Sequence, residues 1–340
     1  MTARVILGTM TFAGQTCKAD VATMLRAFVQ ADVATPSGSV AQIDTARLYN
    51  AGKTEALIGE LCAEDPALAQ RLAVATKAHP FMGAVLDTAG VDGQLGGSLG
   101  ALGTKRVDLF YLHGPCAQTP IAETLAAVQK HFEAGRFARF GLSNFTAWET
   151  VYIHGYMTQR GWVVPTVYQG MYNAITRAVE GELFPALRRL GMAFYAYNPL
   201  AGGMLTGKYA RTAPATLSAG RFDGSTPWGK VYQQRFMQGV QFDAVEVVRV
   251  ACAAAGDGGG GGIPLPEAAL RWALHHSLLK EQDGLILGAS SCQHFESNLA
   301  ACAKGPLPAA VVEAYNEAAK MCAGVCPSFS RGYSGSASQS

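Results

Sequence analysis

Short apolar runs, each ended by a glycine or a polar residue, recur at Val5 to Met10, Gln42 to Ala46, Leu72 to Lys77, Val107 to His113, Arg139 to Asn144, Thr166 to Gln169, Ala193 to Leu200 and Leu285 to Ala289. Runs this short and this apolar predict strands covered on both faces, the condition of a parallel sheet. Between them, apolar residues return at spacings of three and four over Asp20 to Gln30, Thr54 to Cys62, Ile121 to Gly135, Val179 to Leu190, Phe242 to Ala255 and Pro266 to His275, which predicts amphipathic helices. Gly135 and Gly191 fall where helix C-terminal stops belong. Eight alternating strand and helix units with no evident linker predict one closed α/β architecture, a (β/α)8 TIM barrel with its functional groups on the C-terminal face. Before the eighth strand, Gly202 to Trp228 reads as mostly loop followed by helices, and the glycine run Gly256 to Gly262 reads as a flexible surface loop. The small polar residues from Ser334 to Ser340 predict a disordered tail, leaving residues 1–333 for the barrel.

Composition narrows the partners. Apolar residues make up 49% of the chain and charged residues 15%, which is the make-up of a folded globular protein. A net charge of +2 with no run of Lys or Arg offers no field for nucleic acid or an acidic membrane, so a small-molecule partner is expected. The eight cysteines form no metal-spaced cluster; Cys322 and Cys326 lie four apart without a second ligand pair, so reduced thiols and no metal site are expected. The N-terminal apolar run is too short for a signal segment, and no apolar run reaches about 18 residues, which together predict a cytoplasmic protein.

In such a barrel the strand C-termini carry the chemistry, because the βα loops converge there. Asp44 ends the second strand, Tyr49 lies in the loop after it, Lys77 ends the third strand and His113 the fourth. Each alone has an ordinary reading as a cap, packing or surface group. Together they place four ionisable groups from three neighbouring strands at one rim. A buried Asp44 calls for a cation, which Lys77 supplies, and an ammonium beside a phenol favours the phenolate. Tyr49 would then exchange a proton with substrate, and His113 would hydrogen-bond a substrate carbonyl.

Asp44-Thr45-Ala46 with Tyr49, Gly52 and Glu55, then Lys77, then Leu112-His113, resembles the catalytic tetrad of the aldo-keto reductases. The resemblance runs on through Gly141 to Phe145, Tyr168 to Asn173, Asn198 to Tyr209 and Leu287 to Ser291 with Glu296 and Asn298, spanning nearly the whole chain up to Arg331. Within the family it is closest to the aflatoxin-aldehyde, or succinic semialdehyde, reductases. It implies that Tyr49 donates a proton to the carbonyl while a nicotinamide delivers hydride, with Asp44 and Lys77 tuning the phenol and His113 orienting the substrate. It further implies that Ser143, Asn144 and Gln169 hold the carboxamide, Tyr197 stacks on the ring, and a loop including Asn198, Pro199, Leu200, Gly202, Leu205 and Lys208 covers the pyrophosphate. Met10, Asp44 and Gly288 join the cofactor set, and Ser290, Ser291, Gln293 and Asn298 line its adenosine end. Arg331 matches a family arginine that pairs with a substrate carboxylate. The resemblance also implies a homodimer.

Two departures matter. Where many family members grip a 2′-phosphate with a Lys-Ser pair and an Arg, this chain has Gly288-Ala289 and His294, and the resemblance makes Arg221 the cation for NADPH instead. Neither the Gly256 to Gly262 run nor the tail after Arg331 has a clear counterpart. Among rival readings, Gly202 to Lys208 matches a phosphate-loop pattern, but Tyr209 stands where Mg²⁺ needs Ser or Thr. A metal-dependent barrel hydrolase lacks His-x-His or paired strand-end carboxylates. Some barrels of this kind are cofactor-binding subunits of ion channels, which leaves a regulatory alternative to an NADPH-dependent reductase of small, dicarbonyl or carboxylated aldehydes.

Overall fold

The computed structural model describes residues 2–34, 40–211, 220–256 and 261–336. Eight parallel strands close into a barrel in sequence order: β1 Arg4–Gly8, β2 Ala41–Asp44, β3 Leu72–Ala78, β4 Val107–Leu112, β5 Phe137–Ser143, β6 Pro165–Met171, β7 Ala193–Tyr197 and β8 Gly284–Gly288. β1 seals the ring by pairing with β8 from Arg4 opposite Gly284 to Gly8 opposite Gly288. All eight expected strands are present, each within a few residues of its predicted ends.

Among the described residues twelve α-helices surround the barrel: α1 Lys18–Phe28, α2 Lys53–Glu64, α3 Pro66–Gln70, α4 Thr88–Leu102, α5 Ile121–Glu133, α6 Ala147–Gln159, α7 Leu183–Arg189, α8 Pro227–Phe236, α9 Gly239–Ala254, α10 Leu265–His275, α11 Cys292–Cys302 and α12 Ala309–Cys322. The strands alternate between two environments. Ile6, Ala75, Leu109, Tyr111, Val167, Tyr195 and Ile286 fill the barrel's interior, while their strand neighbours pack outward into the larger core under the helices.

Two expectations change. The helix predicted over Val179 to Leu190 is split into a 3₁₀ turn at Ala178–Glu180 and α7, because the Pro185 ring would clash with the carbonyl of residue 181 in a continuous helix. The tail expected to be disordered from Ser334 is anchored at its start, where the Gly335 N–H donates to Cys116 O at 2.9 Å; residues 337–340 lie outside the described ones. Of the glycine run, residues 257–260 also lie outside them. No helix among the described residues is long and apolar enough to cross a membrane.

Closure of the ring between β7 and β8 rests on a buried acid. Asp283 is wholly buried and accepts from Arg188 Nη1 at 2.9 Å and Nη2 at 2.5 Å, and from the backbone N–H groups of Phe194 and Lys280, both at 2.7 Å. Asp283→Ala strands a guanidinium, the buried Phe194 N–H and the half-buried Lys280 N–H. We expect it to lower unfolding stability by about 3–5 kcal/mol, read from the urea midpoint.

Candidate active site

β2 ends at Asp44, and the chain then reverses through Asn50, Ala51 and Gly52, three consecutive left-handed residues with φ of 47°, 54° and 86°. Gly52 suits the last of these, because a side-chain-bearing residue is strained at its φ of 86°. Asn50 Nδ2 fastens the turn by donating to Phe12 O at 2.7 Å and Thr54 Oγ1 at 3.1 Å. The reversal launches α2 and presents Tyr49 to the rim.

Below Tyr49 lies a buried ion pair. Lys77 Nζ donates to Asp44 Oδ1 at 2.6 Å and to Thr45 O at 2.7 Å, with Lys77 fully buried and Asp44 2% exposed. Asp44 Oδ2 accepts from Gln169 Nε2 at 2.8 Å, so β2, β3 and β6 are joined across the barrel. Lys77 Nζ stands 5.2 Å from the Tyr49 ring centre, and the rings of Tyr49 and His113 meet edge-on at 6.1 Å. The four residues expected to meet at one rim do so.

Electrostatics corrects one expectation. Burial, and then the Asp44 carboxylate, push the Tyr49 phenol well above its ordinary value, opposite to the lowering expected from a neighbouring Lys77. Burial lowers the Lys77 ammonium and Asp44 opposes that shift. Burial, followed by the charges of Lys77 and Arg331, lowers His113 far below its usual range, leaving a neutral imidazole whose Nδ1 is buried without a partner among the described residues.

Asn144, left-handed with φ of 64°, links the rim to its surroundings. Its Nδ2 donates to His113 O at 2.8 Å, its Oδ1 accepts from the Tyr197 hydroxyl at 2.9 Å, and its carbonyl accepts the Arg331 N–H at 2.9 Å. The Arg331 guanidinium lies 4.9 Å from the Phe81 ring and 5.7 Å from Trp228, with no carboxylate in ion-pair range among the described residues.

These groups form one end of a cavity of about 720 Å³ that runs along the C-terminal face. Met10, Asp44, Asn144, Gln169, Tyr197, Asn198, Pro199, Leu200, Gly202, Lys208, Arg221, Gly288, Ser290 and Asn298 all line it, as do Tyr49, His113 and Arg331. Arg221 Nη1 reaches across to Met10 Sδ at 2.8 Å. Four residues expected at the cofactor lie off the wall. Ser143 is buried and its Oγ accepts from Asn144, Leu205 is packed in the core, Ser291 caps α11 by accepting from His294 N–H at 3.2 Å, and Gln293 faces solvent. Phe81, Trp228, Tyr232 and Arg235 line the cavity without having been singled out from sequence. Three of them sit on α8, in an interval where the chain gives no strand-end signal.

The motif order has its counterpart in known proteins. The chain matches the Aldo/keto reductase family model over residues 4–320. It is 43% identical over 329 residues to human aflatoxin B1 aldehyde reductase member 2, covering 96% of this chain and 89% of the relative. It is 45% identical over 291 residues to human aflatoxin B1 aldehyde reductase member 4, covering 85% and 87%. It is 44% identical over 293 residues to human aldo-keto reductase family 7 member A3, covering 85% and 88%. A closed parallel barrel with Asp44, Tyr49, Lys77 and His113 gathered at its C-terminal rim, matched from one end to the other, makes this chain a member of the aldo/keto reductase family.

Proposed function

We propose that the chain is an NADPH-dependent aldehyde reductase that converts small or dicarbonyl aldehydes to alcohols and prefers those with a distal carboxylate, such as succinic semialdehyde. As a family member it is an oxidoreductase, and the family generally uses NAD(P)H. The observation that carries the finer reading is the meeting, at one end of a single cavity, of a protonated Tyr49, a neutral His113 and an Arg331 lacking a carboxylate partner among the described residues.

The donor set fits a dinucleotide phosphate. Lys208 and Arg221 line the cavity with no carboxylate in ion-pair range among the described residues, and Ser290, which precedes the N-terminus of α11, lines it too. At the other end, Asn144 and Gln169 offer amide groups and Tyr197 offers a ring whose hydroxyl is fixed by Asn144. Bound there, NADPH supplies hydride to the carbonyl carbon. Tyr49 gives its phenolic proton to the carbonyl oxygen, His113 hydrogen-bonds that oxygen, and the Lys77 ammonium stabilises the phenolate as it forms. Burial suits Tyr49 to this direction of reaction, because a donor must hold its proton until charge develops on the substrate. A cytoplasmic location and a homodimer belong to the same proposal.

Arg331→Ala tests the substrate reading. It is expected to raise KM for succinic semialdehyde by about tenfold or more while changing KM for 4-nitrobenzaldehyde by less than about twofold, as loss of a charge-assisted pair requires. Equal effects on both aldehydes would remove the anchor from the account.

A further inference from the structure

Past Arg331 the chain is tied down. The Arg331 N–H donates to Asn144 O, the Tyr333 ring meets Trp148 edge-on with centroids 5.9 Å apart, the Ser334 N–H donates to Glu149 Oε1 at 2.9 Å, and the Gly335 N–H donates to Cys116 O. Asn144, Trp148 and Glu149 all belong to the β5–α6 junction, and Cys116 lies in the loop three residues after His113. Gly332 and Gly335 take left-handed φ of 81° and 70°, which lets the strap bend between its anchors.

Glu149 is the unusual member. It sits in the first turn of α6, 1% exposed, with its own N–H capped by Thr146 Oγ1 at 3.2 Å. No cation reaches it in ion-pair range among the described residues, and its Oε2 has no hydrogen-bond partner there. The neighbouring Tyr168 hydroxyl is committed to Phe145 O at 2.6 Å. A buried carboxyl without a counter-charge is costly, and burial pushes this one up. Among the described residues, the other segment that its side chain hydrogen-bonds is the strap, at the Ser334 N–H three residues beyond Arg331.

We propose that Glu149 is a positioning residue for Arg331, locking the 332–336 strap through Ser334 and so fixing the guanidinium against Phe81 and Trp228 before substrate arrives. The inference rests on the reading of Arg331 as the carboxylate anchor. An arginine on an untethered segment would lose backbone and side-chain freedom on binding, and the strap removes that cost in advance. The consequence is specificity: a lower KM for carboxylated aldehydes, with turnover and neutral substrates untouched.

Three variants of the full-length chain test this beside Arg331→Ala. Glu149→Leu removes the acceptor at similar volume, Ser334→Pro removes the donor from a half-buried position outside the barrel, and Glu149→Gln keeps an acceptor oxygen. Glu149→Leu and Ser334→Pro are expected to raise KM for succinic semialdehyde about fivefold, the effect of one lost hydrogen bond, with kcat and 4-nitrobenzaldehyde kinetics unchanged. Glu149→Gln should behave as wild type, and amide exchange at 331–335 should speed up in the first two variants only. An unchanged KM in Ser334→Pro, where Arg331→Ala raises it, would overturn the positioning role alone. An equal loss on both aldehydes in Glu149→Leu would overturn it too, marking a structural acid. No effect of Arg331→Ala would bring down the anchor reading and this inference with it.

Discussion

Tyr49→Phe is expected to lower kcat/KM for aldehyde reduction by about a thousandfold or more while NADPH affinity stays within about twofold. The substitution deletes one oxygen and leaves the ring, which touches His113 edge-on and stands 5.2 Å from Lys77 Nζ. Nothing in the rim's own framework depends on that hydroxyl. Asp44 is held by Lys77 and Gln169, and Asn144 by His113 O and Tyr197. The loss should therefore fall on the chemical step, measured by steady-state kinetics, with cofactor affinity measured separately by quenching of protein fluorescence. A matching loss of NADPH binding would make the phenol a structural group and leave the proton without a source.

Lys77→Met should be worse, for a second reason. It removes the cation beside the developing phenolate, and it also strands Asp44, 2% exposed, with Gln169 Nε2 as its remaining side-chain donor. Leaving one member of a buried pair uncompensated costs about 3–5 kcal/mol, so we expect both a comparable fall in unfolding free energy and activity below that of Tyr49→Phe. Urea midpoints measured beside the wild type check the stability loss; an unchanged midpoint would show that Asp44 does not depend on Lys77.

The sequence carried the barrel because continuous apolar strands and intervening helices admit few other arrangements, and it carried Asp44, Lys77 and His113 because each closes a strand. What it hid has physical causes. α4 carries Val91, Leu95, Leu99 and Leu102 at helical spacing, but five glycines between Thr88 and Leu102 mask the pattern; it is started by Asp87 capping Gly90 N–H and stopped by left-handed Gly103. α12 carries Val311, Ala314, Tyr315, Ala318 and Cys322 at helical spacing, a pattern legible in the sequence although it is not among the helices expected above. The bond from Gln169 to Asp44 joins residues 125 apart across the barrel, which no local spacing reveals. Arg235 and the hold of Glu149 on Ser334 were hidden for the same reason. The upward shift of the Tyr49 phenol is not legible for a related reason: adjacency to a lysine shows in the sequence, while the burial that outweighs it does not.

The central claim is tested most directly by following NADPH oxidation with succinic semialdehyde and with 4-nitrobenzaldehyde, each repeated with NADH at equal concentration. Turnover of both aldehydes with NADPH, slower with NADH and with the higher kcat/KM for the carboxylated substrate, is the predicted result. Tight NADPH binding with no turnover of either aldehyde would contradict it and identify the chain as a cofactor-binding subunit instead of a reductase.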